Sequence, residues 1–216
     1  SNEISAMEHP YWTEVLALPS QGKTNPILQI VPRASKESRK KILQLVHDGF
    51  GPISHTSPLS FRRVATLSPS KNARKYAQKV YEIELGKHPL VPGTSHQNIP
   101  HTEQFQRMME SLENGITIEP ISPRNNLLQR LSLPSASLTQ ALAICDVIEH
   151  IAPEIIYRLQ DFVAQWQVST GRESKKINRV FLDEHSLTEG GESPDQHIGI
   201  VESIVKEHPT VARSPL

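Results

Sequence analysis

Apolar and polar positions alternate along this chain in two rhythms, one short and one helical. Ile27-Leu28-Gln29-Ile30-Val31 is a short, branched apolar run ended by Pro32, which predicts a buried strand. Ser35 follows as an N-cap, and Ile42, Leu45 and Val46 form a helical stripe that Gly49 and Gly51 end. Phe61 to Leu67 reads as a second strand. Pro69-Ser70 then opens a helix with Ala73, Ala77 and Val80 on one face, closed by Gly86. A third helix runs from Thr102 to Glu113 on the stripe Phe105, Met108, Met109 and Leu112, and Asn114-Gly115 stops it.

Ile116 to Ile121, cut by Pro120, is the third strand of this reading, and Ile177 to Leu182 the fourth. Between them, residues 123–133 suit a short helix and turn. Ser137 caps a helix carrying Leu138, Leu142, Cys145 and Ile148, and Pro153 starts another carrying Ile155, Ile156, Leu159, Phe162, Val163 and Trp166. Proline is tolerated in a first turn and disfavours helix just before it, so Ala152-Pro153 predicts a helical hairpin over residues 137–169. A last helix carries Ile198, Val201, Ile204 and Val205.

Strands alternating with helices predict an α/β fold: a mainly parallel sheet of about four to six strands flanked by helices, with the hairpin in the second half. The expected organisation is an N-terminal docking segment (1–25), a single α/β domain (26–208) and a loose tail (209–216). Two stretches, 27–57 and 64–95, share one grammar of strand, Pro-containing turn, Ser-capped basic helix, Gly stop and short apolar run, which suggests a strand–helix duplication.

Composition supports a folded chain, since 37% of its residues are hydrophobic and 21% charged. Seventeen prolines predict many loops. No stretch approaches the roughly 20 apolar residues that a membrane span requires. The only cysteine, Cys145, lies in an apolar helical run and reads as a small core residue. One cysteine and no signal-peptide order near the N-terminus favour a reducing, cytoplasmic setting.

Charge is balanced overall and uneven locally. Residues 33–79 hold eleven basic side chains against Glu37 and Asp48, a net +9, while residues 183–207 hold seven acids against Lys206, a net −6. The basic half suits an anionic partner, and a protein, a phosphate-bearing ligand or a nucleic acid is the expected partner class. Aromatic interleaving there is sparse for a nucleic-acid platform.

Two helix starts concentrate that charge: Ser35, Lys36 and Arg39 at the first, and Ser68, Ser70, Lys71 and Arg74 at the second. Free N–H groups and the positive helix end make both candidate anion-binding sites. Neither a Walker pattern nor G-x-G-x-x-G accompanies them. The segment Val64-Ala65-Thr66-Leu67-Ser68-Pro69, with Asn72-Ala73, Ala77, Gly86, Pro89 and Pro92, resembles the opening of the nucleoside deoxyribosyltransferase-like fold. That resemblance covers residues 64–92 only. The Ser-Gly and later Glu of that family do not follow, so its catalytic carboxylates are not carried over.

Asp183-Glu184-His185, placed directly after the fourth strand, is the candidate catalytic group, because carboxylates at a strand's carboxyl end suit acid–base work. The ten histidines show neither H-E-x-x-H nor a Cys pair. They read as loop and surface residues, with no metal site and no identifiable cofactor. His55-Thr56-Ser57 has the H-x-S form of two-histidine phosphoesterases, without a second copy.

No strong catalytic signature stands out, so the leading expectation is a non-catalytic protein-interaction or accessory protein. The alternatives are an enzyme or sensor for a nucleotide-like, phosphate-bearing molecule held at the two helix starts, and nucleic-acid binding through residues 33–79.

Overall fold

The computed structural model describes residues 29–87, 98–121, 135–189 and 197–209. Six helices account for most of them: α1 (Lys36–Leu67), α2 (Lys71–Glu84), α3 (His101–Ser111), α4 (Leu138–Thr170), α5 (Val180–Glu189) and α6 (His197–Lys206), with 3-10 turns at Val31–Arg33 and Ser174–Lys176. No strand occurs among the described residues. The predicted α/β fold with its parallel sheet is therefore overturned in favour of a helical bundle.

Each predicted strand fails for a local reason. Residues 29–33 are helical or 3-10. Phe61 to Leu67 forms the last turns of α1, where Ser57, Ser60, Phe61 and Val64 are buried at helical spacing rather than in alternation. Residues 116–121 run without regular structure, and side chains satisfy their backbone instead of a neighbouring strand. Ile118 donates to Glu110 Oε1 (3.0 Å) and accepts from Gln106 Nε2 (2.9 Å); Glu119 donates to Gln44 Oε1 (2.8 Å) and accepts from Gln44 Nε2 (3.1 Å). That supply of partners removes the need for a ladder. Residues 180–182 open α5, where Asn178 Oδ1 accepts from the Val180 amide at 3.2 Å.

The two long helices also correct the reading of proline. α1 runs through Gly49, Gly51, Pro52 and Pro58, and α4 runs unbroken through Pro153, so there is no helical hairpin at 137–169. An interior proline costs about 3 kcal/mol. Burial of side chains on both sides of each proline offsets it: Leu43 and Phe61 in α1, and Ile148, Ile151, Ile155 and Leu159 in α4. The strand–helix grammar of the proposed duplication is likewise absent over the described parts of 27–57 and 64–95. The residue 64–69 strand of the deoxyribosyltransferase resemblance is the end of α1 and its corner. Residues 1–25 and 210–216, and the short helix and turn expected at 123–133, lie outside the described residues.

The helix starts are as the sequence implies. Ser35, Ser70 and Ser137 each accept a hydrogen bond from the amide three residues on, and Ser137 forms a full capping box with Gln140. Two apolar clusters follow. One joins α1, α3, α4 and α5 through Leu43, Phe105, Met109, Leu159, Trp166 and Phe181. The other joins α1, α2, α4 and α6 through Phe61, Val64, Ala77, Leu142, Cys145 and Val201. Trp166 Nε1 donates to the Leu112 carbonyl at 3.1 Å, tying α4 to the end of α3. No helix among the described residues is long and apolar enough to cross a membrane.

Candidate functional site

Ionisable side chains meet inside this bundle where a purely apolar core would be expected. Glu84 ends α2 on the stripe Ala73, Ala77 and Val80, so the helix carries a carboxylate on its buried face. His101 begins α3 on its buried face. Glu184 and His185 sit side by side in α5, and both are buried.

The chain brings Glu84 and His101 together by one tight local device. Gly86 has φ +74°, a conformation open to glycine. A Cβ at Gly86 would stand 2.3 Å from the carbonyl oxygen of Ile99. The Asn98 amide donates to the Gly86 carbonyl at 2.8 Å. The chain that leaves α2 thus returns against its own exit, and α3 starts beside the end of α2.

His101 lies between two carboxylates. Its Nε2 is 3.2 Å from Glu184 Oε2, and its Nδ1 is 3.2 Å from Glu84 Oε2. Only the Glu184 contact has hydrogen-bond geometry; Nδ1 makes no hydrogen bond among the described residues. Burial works against a charged ring, but Glu84 and Glu184 outweigh it and raise the His101 pKa to about 10. Burial by itself would raise Glu184, yet hydrogen bonds from His101 and Gln104 hold it below the ordinary carboxylate value. Gln104 Nε2 donates to Glu184 Oε2 (3.2 Å) and to the Ile99 carbonyl (3.1 Å), while its buried Oε1 has no partner among the described residues.

His185 is oriented from behind. Its Nδ1 stands 2.7 Å from the Phe181 carbonyl. A carbonyl only accepts, so Nδ1 carries a proton toward it. The ring packs on Phe181 and tilts against His101, with centroids 4.2 Å and 4.6 Å apart. One ligand-type atom from each of Glu84, His101 and His185 lies within 4.8 Å of the others.

A cavity of about 50 Å³ adjoins this cluster, with room for a few waters or the end of a carbon chain. Phe50, Ile53, Ile155, Ile156 and Leu159 form apolar walls, and Glu84, Glu149, His185 and Ser57 supply polar groups. Ser57 Oγ donates to Glu149 Oε1 at 3.3 Å, within the buried contact between α1 and α4.

The residues singled out from sequence divide. Glu184 and His185 belong to the cluster, whereas Asp183 is exposed and lies 3.7 Å from Arg179 on the outer face of α5. The two basic helix starts stand at opposite ends of α1, roughly 48 Å apart for its 32 residues. At the first, Ser35 is a cap, Lys36 is exposed, and Arg39 pairs with both oxygens of Glu113 (2.7 and 3.0 Å). At the second, Ser68 Oγ bonds His208 Nε2 (2.8 Å), Ser70 caps α2, Lys71 is exposed, and Arg74 donates to the carbonyls of Ser68 and Pro69.

Nor are the histidines all peripheral: His47, His101, His185 and His208 are buried. His101, expected with the other histidines in a loop or at the surface, is instead buried in the cluster, and Glu84, Gln104 and Glu149 carry no motif. The signal available for Glu84 and Glu149 was a carboxylate on the apolar stripe of its own helix. Comparison with protein-family models, curated proteins and solved structures gives no match for the chain.

Proposed function

We propose that this protein is a metal-dependent oxidase or oxygenase that holds a redox-active divalent ion, iron in the first instance, on Glu84, His101 and His185. The observation that carries the reading is the convergence of two imidazoles and one carboxylate, from three different helices, beside an apolar cavity. Two histidines and one carboxylate on one side of a metal leave positions open on the other, the pattern of non-haem iron sites that use oxygen. Helical bundles build such sites from inward-pointing side chains on facing helices.

The surroundings fit a cation. Glu184 on His101 Nε2 and the Phe181 carbonyl on His185 Nδ1 are the outer partners that orient metal-binding imidazoles. On that arrangement His101 Nδ1 and His185 Nε2 would be the ligating nitrogens, and binding the ion would displace the proton that Glu84 and Glu184 hold on His101. Mixed imidazole and carboxylate donors suit iron and manganese, and no thiolate competes, since Cys145 belongs to the other cluster. Bound there, the ion would supply the redox chemistry. Phe105, Phe181 and apolar side chains of α1 and α4 line the cavity beside the ion, and Glu149 adds a carboxylate to that lining.

This reading is preferred to a non-catalytic interaction protein because a buried Glu–His–Glu arrangement is costly for a core that has only to pack. It is preferred to phosphate binding because Arg39 and Arg74 are engaged within the fold. The test is nitric oxide added anaerobically to protein loaded with ferrous iron. A high-spin ferrous–nitrosyl EPR signal is expected, since it reports an iron with an open oxygen-binding position. Iron that binds without giving this signal would contradict the oxygen chemistry.

A further inference from the structure

The cavity beside Glu84 and His185 draws its walls from one face of each long helix. Phe50 and Ile53 line it from α1, one turn apart, and Ala152, Ile155, Ile156 and Leu159 line it from a single stripe of α4. Phe105 and Phe181 add aromatic surface.

Its size limits what it can hold. The volume of about 50 Å³ is a third of the roughly 150 Å³ that holds benzene, and several times the roughly 10–15 Å³ that one water needs. About two to four non-hydrogen atoms fit, the size of a propyl chain.

Its lining selects against charge of either sign. Among the described residues no Lys or Arg lines this space. A carboxylate or phosphate entering it would be buried beside the carboxyl groups of Glu84 and Glu149 with no cation to meet it, which is costly. Those carboxyl groups are themselves engaged: Glu149 accepts from Ser57 at 3.3 Å, and Glu84 Oε2 lies 3.2 Å from His101 Nδ1. An ammonium would have to break into that network. An uncharged saturated chain needs no polar partner and gains from contact with the apolar walls.

We propose that this cavity is a substrate pocket for a short, uncharged aliphatic chain of about three carbons, held with its C–H bonds beside the ion on Glu84, His101 and His185. As a substrate assignment the inference rests on the metal-site reading above; occupancy of the cavity does not need the ion.

The probe is propane, dissolved under pressure in a solution of the full chain without added metal, and the readout is the methyl NMR signals of Ile53, Ile155, Ile156 and Leu159. Saturable shifts of those signals are expected, with a Kd no tighter than about millimolar, the limit for so few atoms. Propanoate and propylammonium should bind at least tenfold more weakly. Ala152→Leu, which fills the space, should weaken propane binding at least tenfold; Ala152→Val fills less and should weaken it in the same direction, should leucine prevent folding. In protein loaded with ferrous iron, the propane protons should relax several times faster than in protein loaded with zinc. Absence of saturable shifts, or filling by xenon and not by propane, would overturn the proposal and leave a packing void. Binding of n-hexane ten times tighter than propane, equal binding of propanoate, or equal relaxation with the two metals would also overturn it. A wild type that binds propane and retains no iron defeats the metal-site reading instead, and is seen separately, because occupancy is measured without the metal.

Discussion

The Asn98 amide donates to the Gly86 carbonyl across 2.8 Å, and this bond sets the end of α2 against the start of α3. Its consequence is chemical as well as architectural. Glu84 and His101, seventeen positions apart in sequence, come to stand with side-chain atoms 3.2 Å apart in the interior.

Gly86→Ala tests that device. The left-handed conformation costs a non-glycine residue about 1–2 kcal/mol, and the new methyl group would meet the Ile99 backbone at 2.3 Å. Unfolding in urea should show a loss of more than about 1 kcal/mol. Metal retention should fall with it, since the two ligands flank the distorted turn. A variant as stable and as metal-competent as the wild type would show that the turn does not position the site.

Cys145 should be inert. Burial pushes its thiol well above the ordinary range, and Glu149 and Asp146 add to this against an opposing hydrogen bond from Ser60. A disulfide reagent should therefore fail to label the native protein and label one thiol per chain in guanidinium. Rapid labelling without denaturant would mean that the second apolar cluster opens readily.

Acid should weaken the bundle through His47. Its ring is buried, stacks on Phe105 with centroids 5.4 Å apart, and has its pKa lowered by burial against the opposing pull of Asp48 and Glu110. The neighbouring His55 is lowered too, by burial and then by the charge of His47. A histidine with a lowered native pKa binds its proton more readily when unfolded. Its stabilising contribution is thus complete above the unfolded value of about 6.5 and is lost as pH falls through the native value. Between pH 7 and pH 5 the wild type should lose more stability than His47→Phe, as measured by urea titration at each pH. Identical pH dependence in the two proteins would contradict the assignment.

Much of the local grammar was legible in the sequence. The serine caps, the Phe105–Leu112 stripe and the stop at Gly86 follow from residue type and spacing, whereas the reason for singling out Asp183-Glu184-His185, a place directly after a strand, does not hold, because these residues lie within α5. The fold class did not, because short branched runs flanked by proline satisfy strand and buried-helix templates alike. Only tertiary burial carries α1 through Pro52 and Pro58, and only the side chains of Gln44, Gln106 and Glu110 make residues 118–119 self-sufficient without a sheet. The site was half legible for a related reason. Reading residues 180–185 as helix rather than strand turns Asp183 outward and leaves Glu184 and His185 inside, while their partners Glu84 and His101 meet them through contacts that no sequence motif encodes.

The central claim is that Glu84, His101 and His185 hold a metal ion, and anaerobic titration with ferrous iron, followed by desalting and metal analysis, tests it most directly. The wild type should retain about one ion per chain. Glu84→Gln and His185→Asn should each lose at least tenfold in affinity while keeping wild-type helical content by circular dichroism, and Asp183→Asn on the exposed face of α5 should bind as the wild type does. No retention by the wild type, or equal retention in all four proteins, would contradict the account.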